Sequence, residues 1–183
     1  MELKQRNKWS KQRGTSLVEL MIACVVLVVG VAAVAGIIPL AIGANYRNRQ
    51  QSNSTVIAQM VMEKILSVPA GTSPVLVVSD CVPNANNVNT FGTAGTGSGA
   101  TLQASGDVNF NVAAPAGYSM LYTTCGPGGG QASVYDVRWN IQAPSAFVKL
   151  ITVSAKLKGS GSASDPKLFS VPVTIRSMAG QGS

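Results

Sequence analysis

From Leu17 to Ala44 the chain runs for 28 residues with one charge, Glu19, between Arg13 on one side and Arg47 and Arg49 on the other. A helix of that length reaches roughly 42 Å, enough to cross a hydrocarbon core of about 30 Å with some tilt. The tract therefore reads as a membrane segment. Five basic residues (Lys4, Arg6, Lys8, Lys11, Arg13) precede it against the single acid Glu2. Loop charge sets orientation, so the leader stays cytoplasmic and everything after the tract faces the periplasm or the cell exterior. Two processing signals compete for the same segment. Ala33-Val34-Ala35 has the form of a secretory cleavage site, but the apolar run continues past it; Met21-Ile22-Ala23-Cys24 resembles a lipoprotein box, but leaves a short apolar region with Glu19 inside.

The formal charge is +7, from 14 Lys+Arg and 7 Asp+Glu, yet beyond the leader nine basic residues face six acidic ones. That excess is too small to argue for a nucleic-acid surface. Histidine is absent, which excludes Ser-His-Asp and Cys-His nucleophilic sites and every His-ligated metal site. No catalytic residue, cofactor site or metal site is expected. Gly126-Pro127-Gly128-Gly129-Gly130 lacks the Lys-Ser/Thr of a phosphate loop and reads as a turn. Asp80, Asp107, Asp136 and Asp165 are too dispersed to argue for Ca²⁺.

After Ala44 the chain turns polar but keeps a helical period. Val56, Ile57, Met60, Val61 and Ile65 form an amphipathic stripe, and Asn53-Ser54-Thr55 is assigned to the helix surface. Pro69 ends the helix, since it disfavours helix at the residue before it. A start near Thr15 makes one helix of roughly 80 Å, with a kink or local melting at Pro39. The uncharged stretch 83–106 reads as an exposed loop. The period then becomes two: Tyr135, Val137, Trp139 and Ile141 alternate with Asp136, Arg138 and Asn140; Ile151, Val153, Ala155 and Leu157 alternate with Thr152, Ser154 and Lys156; Phe169, Val171, Val173 and Ile175 alternate with Ser170, Pro172 and Thr174. Three half-buried strands follow, joined as an antiparallel meander with Pro172 marking the last as an edge. Weaker strand candidates are 75–79, 108–112 and 118–123. The amphipathic stretch supplies the cover for the sheet's apolar face.

Taken together, the leader ending in Gly14, the tract TSLVELMIACVVLVVGVAAVAG, the continuing helix and the C-terminal sheet resemble type IV pilins and pseudopilins. Within that group Gly30, the segment Ile57 to Ile65 and the size are most similar to minor pilins of the PilV class. The resemblance implies an α+β fold: a leader (1–14), a transmembrane and filament-core helix (15–44), an amphipathic helix (45–67) and a β-rich periplasmic or extracellular head (68–183) with a loop at 83–106. It implies cleavage by prepilin peptidase between Gly14 and Thr15, N-methylation of Thr15, and an assembly role for Glu19 at the fifth position of the mature chain. The family usually has Phe where Thr15 stands. The expected partners are other pilin subunits, prepilin peptidase and the inner-membrane pilus assembly platform; the chain is a single-pass membrane protein before it enters a surface filament, with no enzymatic activity.

A carboxylate deep in a bilayer costs about 2.5–3.5 kcal/mol on insertion scales, less near an interface. Cleavage after Gly14 exposes an α-amino group with an ordinary pKa of about 7.7–8.0. In a filament core that cation and Glu19 of a neighbour neutralise each other; on an isolated helix Glu19 snorkels to the headgroups instead. Gly30, Ala32, Ala33, Ala35 and Gly36 permit close helix approach. Cys24 is expected to be a small buried hydrophobe. Cys81 and Cys125 lie on the exported side, where oxidation favours a disulfide. Two rival functions remain: a type II secretion pseudopilin, and a filament-tip module binding a surface, a partner or DNA, for which Lys149, Lys156, Lys158 and Lys167 would be the basic cluster.

Overall fold

A computed structural model describes residues 16–69, 72–82, 85–159 and 170–180. The chain forms two compact units, the first ending at Tyr46 and the second beginning at Arg47. Helix α1, Leu17–Leu66, contributes to both.

In the first unit the apolar side chains of α1 from Leu17 to Ile42 are exposed. Without protein partners their helicity comes from the backbone ladder, which is also what a lipid solvent demands, because no unpaired N–H or C=O is tolerated there. Of the kink or local melting expected at Pro39, the melting does not occur: α1 continues through it. Proline lacks the N–H that would bond four residues back, and the ladder resumes on both sides of that single loss. Cys24 is likewise exposed rather than buried.

In the second unit Ser54, Ile57, Ala58, Val61, Met62 and Ile65 are the buried residues of α1. Their spacing of three and four puts them on one face. Val56, assigned to that stripe from the sequence, is 63% exposed instead; the buried face is centred on Ile57, Val61 and Ile65, one residue round the helix. Ser54 belongs to this face, so the sequon-like Asn53-Ser54-Thr55 is not simply helix surface. The helix ends before Pro69 as expected, with the Ser67 amide donating to the Glu63 carbonyl at 2.9 Å.

The head has strands β1 (Val75–Ser79), β2 (Ala85–Asn89), β3 (Ser98–Gly99), β4 (Ser119–Cys125), β5 (Gln131–Ser145), β6 (Val148–Leu157) and β7 (Val173–Gly180). β1 and β2 form an antiparallel pair; β3, β5, β6 and β7 follow one another in a second sheet, with β4 also pairing with β5. All pairings are antiparallel. The register sets Ile141 opposite Ile151, Trp139 opposite Val153 and Val137 opposite Ala155. These side chains are wholly buried and join Ile57, Val61 and Ile65 in one core. The long helix on an antiparallel sheet, and the meander β5–β6–β7, are thus as the sequence indicates.

Three local expectations are corrected. The stretch 83–106 is not simply exposed loop: over its described residues it contains β2 and β3, and Val88, Thr90 and Ala100 are buried. Asparagine-rich β2 has little strand propensity, and its place is set by the pairing of Val88 with Leu76. Val108 to Val112 forms no strand; Val108 makes only an isolated bridge with Leu102. The last strand begins at Val173, so Pro172 precedes it, Val171 is exposed and Phe169 lies outside the described residues. A proline donates nothing to a ladder, and pairing starts once it is passed.

The far face of the sheet is also covered. Asn140, assigned to the outside, is 3% exposed and donates from Nδ2 to the carbonyls of Thr96 and Ala100. Arg138 donates to the carbonyls of Asn109, Phe110 and Val112, and stacks 4.9 Å from the Phe110 ring centroid. Gly99, at φ +112°, lets this segment close on the sheet: a Cβ there would strike the Trp139 carbonyl and the Tyr118 ring.

Candidate assembly and processing site

Glu19 lies in the first turn of α1 and is exposed. A carboxylate there interacts favourably with the helix dipole, by about 0.3–1 kcal/mol. It shares a flank with Ile22, Ala23 and Val26, three, four and seven residues on. No basic residue occurs between Ser16 and Tyr46, so that stretch of helix offers Glu19 no counter-charge. Gly14 and Thr15 lie outside the described residues.

A Cβ added at Gly30 or Gly36 meets no atom within 4 Å. Glycine inside a helix costs about 0.5–1 kcal/mol relative to alanine. Packing among the described residues therefore does not require these glycines, whereas close approach of another helix would make use of them.

The head is held by two constraints at opposite ends. At one, Cys81 and Cys125 form the expected disulfide, with Cα atoms 5.2 Å apart. Asp80 organises this corner: its carboxylate accepts from the amides of Val82 and Thr123, each at 3.0 Å, and the Cys81 amide donates to the Thr123 carbonyl. At the other end stands Lys149, grouped with the surface cations in the sequence reading but only 2% exposed. Its ammonium donates to the carbonyls of Thr72 at 2.5 Å, Thr90 at 3.2 Å and Pro69 at 3.5 Å. Burial pushes its pKa down. Lys149 shares the parity of Ile151, Val153 and Ala155, which was the available sign that it points inward.

The proposed basic cluster loses one of its four members, because Lys149 is buried. Lys149 is internal, Lys156 lies 5.8 Å from the Phe110 ring centroid, and Lys167 lies outside the described residues. Asp136 pairs with Arg138 at 2.8 Å and Asp107 with Arg176 at 3.1 Å, so these carboxylates answer cations of the fold. No group of three metal-ligating side chains occurs among the described residues. The glycine-rich segment 126–130 is the expected turn, linking β4 to β5 through a short 3₁₀ stretch at Pro127–Gly129.

An exposed apolar helix continuing into a helix-backed antiparallel head defines a pilin-like α+β protein. Residues 9–35 match the model of the prokaryotic N-terminal methylation motif, so this part of the chain is similar to the N-terminal segment of proteins that carry that motif. No curated protein and no solved structure matches the chain.

Proposed function

We propose that the protein is a structural subunit, a minor pilin, of a type IV pilus or related filament. It is inserted as a single-pass inner-membrane protein with its basic leader in the cytoplasm. Prepilin peptidase cleaves it between Gly14 and Thr15, the new Thr15 amine is methylated, and the assembly platform moves it into a filament through its N-terminal helix. Glu19 then neutralises the N-terminal amine of a neighbour. The chain's role is assembly rather than catalysis.

The observation that carries this reading is the conjunction of the methylation motif at residues 9–35 with a helix whose apolar side chains from Leu17 to Ile42 are exposed and whose one carboxylate there, Glu19, has no counter-charge among residues 16–46. Burial of such a charge in an apolar assembly is tolerable only beside an opposite charge, and the helix supplies none between Ser16 and Tyr46. The internal position of Lys149 supports the structural reading over DNA binding, because it removes one of the few cations available to a basic face.

The test is N-terminal mass spectrometry of protein from sheared surface filaments. A chain beginning at methylated Thr15 is expected, and Gly14→Trp should leave the full-length form in the inner membrane. A mature form unaffected by Gly14→Trp would refute the cleavage assignment, and recovery only with secretion machinery would favour the pseudopilin reading.

A further inference from the structure

Arg47 and Arg49 lie just beyond Ala44, where the apolar tract ends, and both are exposed on α1. No Asp or Glu occurs from Leu20 to Met62, so the helix around them carries no carboxylate to answer either guanidinium. Among the described residues the ion pairs are Arg138 with Asp136 and Arg176 with Asp107, and neither Arg47 nor Arg49 takes part in one. Cations beside a membrane segment are normally in excess on its cytoplasmic side. The basic leader already sets the orientation, and two arginines at the opposite end work against it. Topology therefore does not account for them.

Two observations select what they meet. Residues two apart on a helix point about 200° away from each other, so Arg47 and Arg49 face nearly opposite sides of α1. A partner docked on one face of the helix meets one of them, whereas lipid headgroups surround a helix on every side. The second observation is charge. In the second unit the Asp80 carboxylate is held by two backbone amides, and Asp107 and Asp136 pair with arginines of the fold. Glu63, beside Lys64, is the one acid left there among the described residues. A further copy of the chain thus has little to offer two guanidiniums. An anionic bilayer surface presents many phosphates, and guanidinium binds phosphate bidentately.

We propose that Arg47 and Arg49 form a girdle that binds the phosphate groups of anionic phospholipids in the exported-side leaflet of the inner membrane. This rests on the single-pass membrane reading above. Each arginine contacts its own lipid, as their opposed directions require. The girdle gains weight once the leader is removed, because from Thr15 to Tyr46 there is no basic side chain. The exported-side leaflet is then where the mature chain is held by charge until it leaves for the filament.

The experiment uses the full chain in vesicles of phosphatidylglycerol and phosphatidylcholine in equal parts. Cys24→Ser is the background, a nitroxide is attached at Asn48→Cys between the two arginines, and Cys81 and Cys125 stay in their disulfide. Flotation reports membrane association, and phosphorus NMR reads how strongly the label broadens each lipid resonance. At low salt phosphatidylglycerol is expected to be broadened several-fold more than phosphatidylcholine, since an anionic surface gains about fivefold in affinity per arginine. The preference should fall in high salt. Arg47→Gln together with Arg49→Gln should equalise the two resonances, each single change should lower the preference partway, and inorganic phosphate in the buffer should stay sharp.

Equal broadening of the two lipids by the wild type, or a preference unchanged by the double substitution, overturns the lipid site and leaves the membrane reading standing. So does broadening of inorganic phosphate in place of lipid, which would make a free ion the occupant. So does spin-spin broadening between copies that disappears with the arginines, which would make it a second copy. Chain that fails to float with the vesicles overturns the membrane reading and the lipid site with it.

Discussion

Trp139 is the side chain whose removal most directly tests how the head is built. It is wholly buried on the central strand β5, packs at a tilt on Tyr118 with centroids 6.3 Å apart, and donates from Nε1 to the Asn89 carbonyl at 3.0 Å. The indole therefore joins the main sheet both to the helix-facing core and to the backbone of β2. Truncation to alanine removes the buried ring and leaves a cavity, a change that costs about 3–5 kcal/mol. Replacement by phenylalanine keeps much of the apolar contact but leaves the Asn89 carbonyl without its donor, a loss of about 1–3 kcal/mol. For a head of this size each kcal/mol corresponds to about 3–5 °C in Tm. Thermal melts of a soluble fragment beginning at Arg47 should rank wild type above Trp139→Phe above Trp139→Ala, with the alanine variant lower by roughly 10–20 °C. Superimposable melts for wild type and Trp139→Ala would refute the assignment of this residue to the core. Equal losses for Phe and Ala would instead show that the hydrogen bond to β2 dominates over packing.

Three further outcomes are expected. On the proposed assembly role, Glu19→Ala should be inserted and cleaved but recovered poorly in sheared filaments, because it would remove the proposed partner of a neighbour's amine while easing membrane insertion; normal abundance there would sink the pairing role. Replacing Cys81 and Cys125 by serine opens a loop of sequence separation 44 and should lower stability by about 4 kcal/mol on the chain-entropy account, read as a loss of denaturation midpoint that reductant reproduces in the wild type. Lys149→Met should cost about 1–3 kcal/mol by leaving the Thr72 and Thr90 carbonyls without their donor. Because burial lowers the folded-state pKa of Lys149, the unfolded chain binds more protons between that pKa and about 10.4; wild-type stability relative to Lys149→Met should therefore rise with pH across that window and fall as pH drops back through the folded value. A difference independent of pH would contradict the burial of this ammonium.

What the sequence alone determined is what local periodicity and composition can carry. The apolar tract with its lone Glu19, the motif around Gly14, the inward faces of β5 and β6 and the end of α1 near Pro69 were all legible, because each depends on residues a few positions apart. The Cys81–Cys125 disulfide was legible because the sequence reading places both cysteines on the side of the membrane where oxidation is allowed. The tertiary structure alone decided which polar groups are internal. Asn140 and Lys149 are buried because carbonyls far away in the chain, those of Thr96 and Ala100 for one and of Pro69, Thr72 and Thr90 for the other, come within hydrogen-bonding distance. No local pattern encodes such partners, and without them burial of either group would be unfavourable. The same reasoning applies to β2 and β3, whose residues have little strand propensity and extend only because β1 and β5 offer them an edge. For Val56 the difference was a single step round the helix: its neighbours Ile57 and Ala58 meet the sheet, and the sheet's position selects the buried face from a stripe that the sequence left broad.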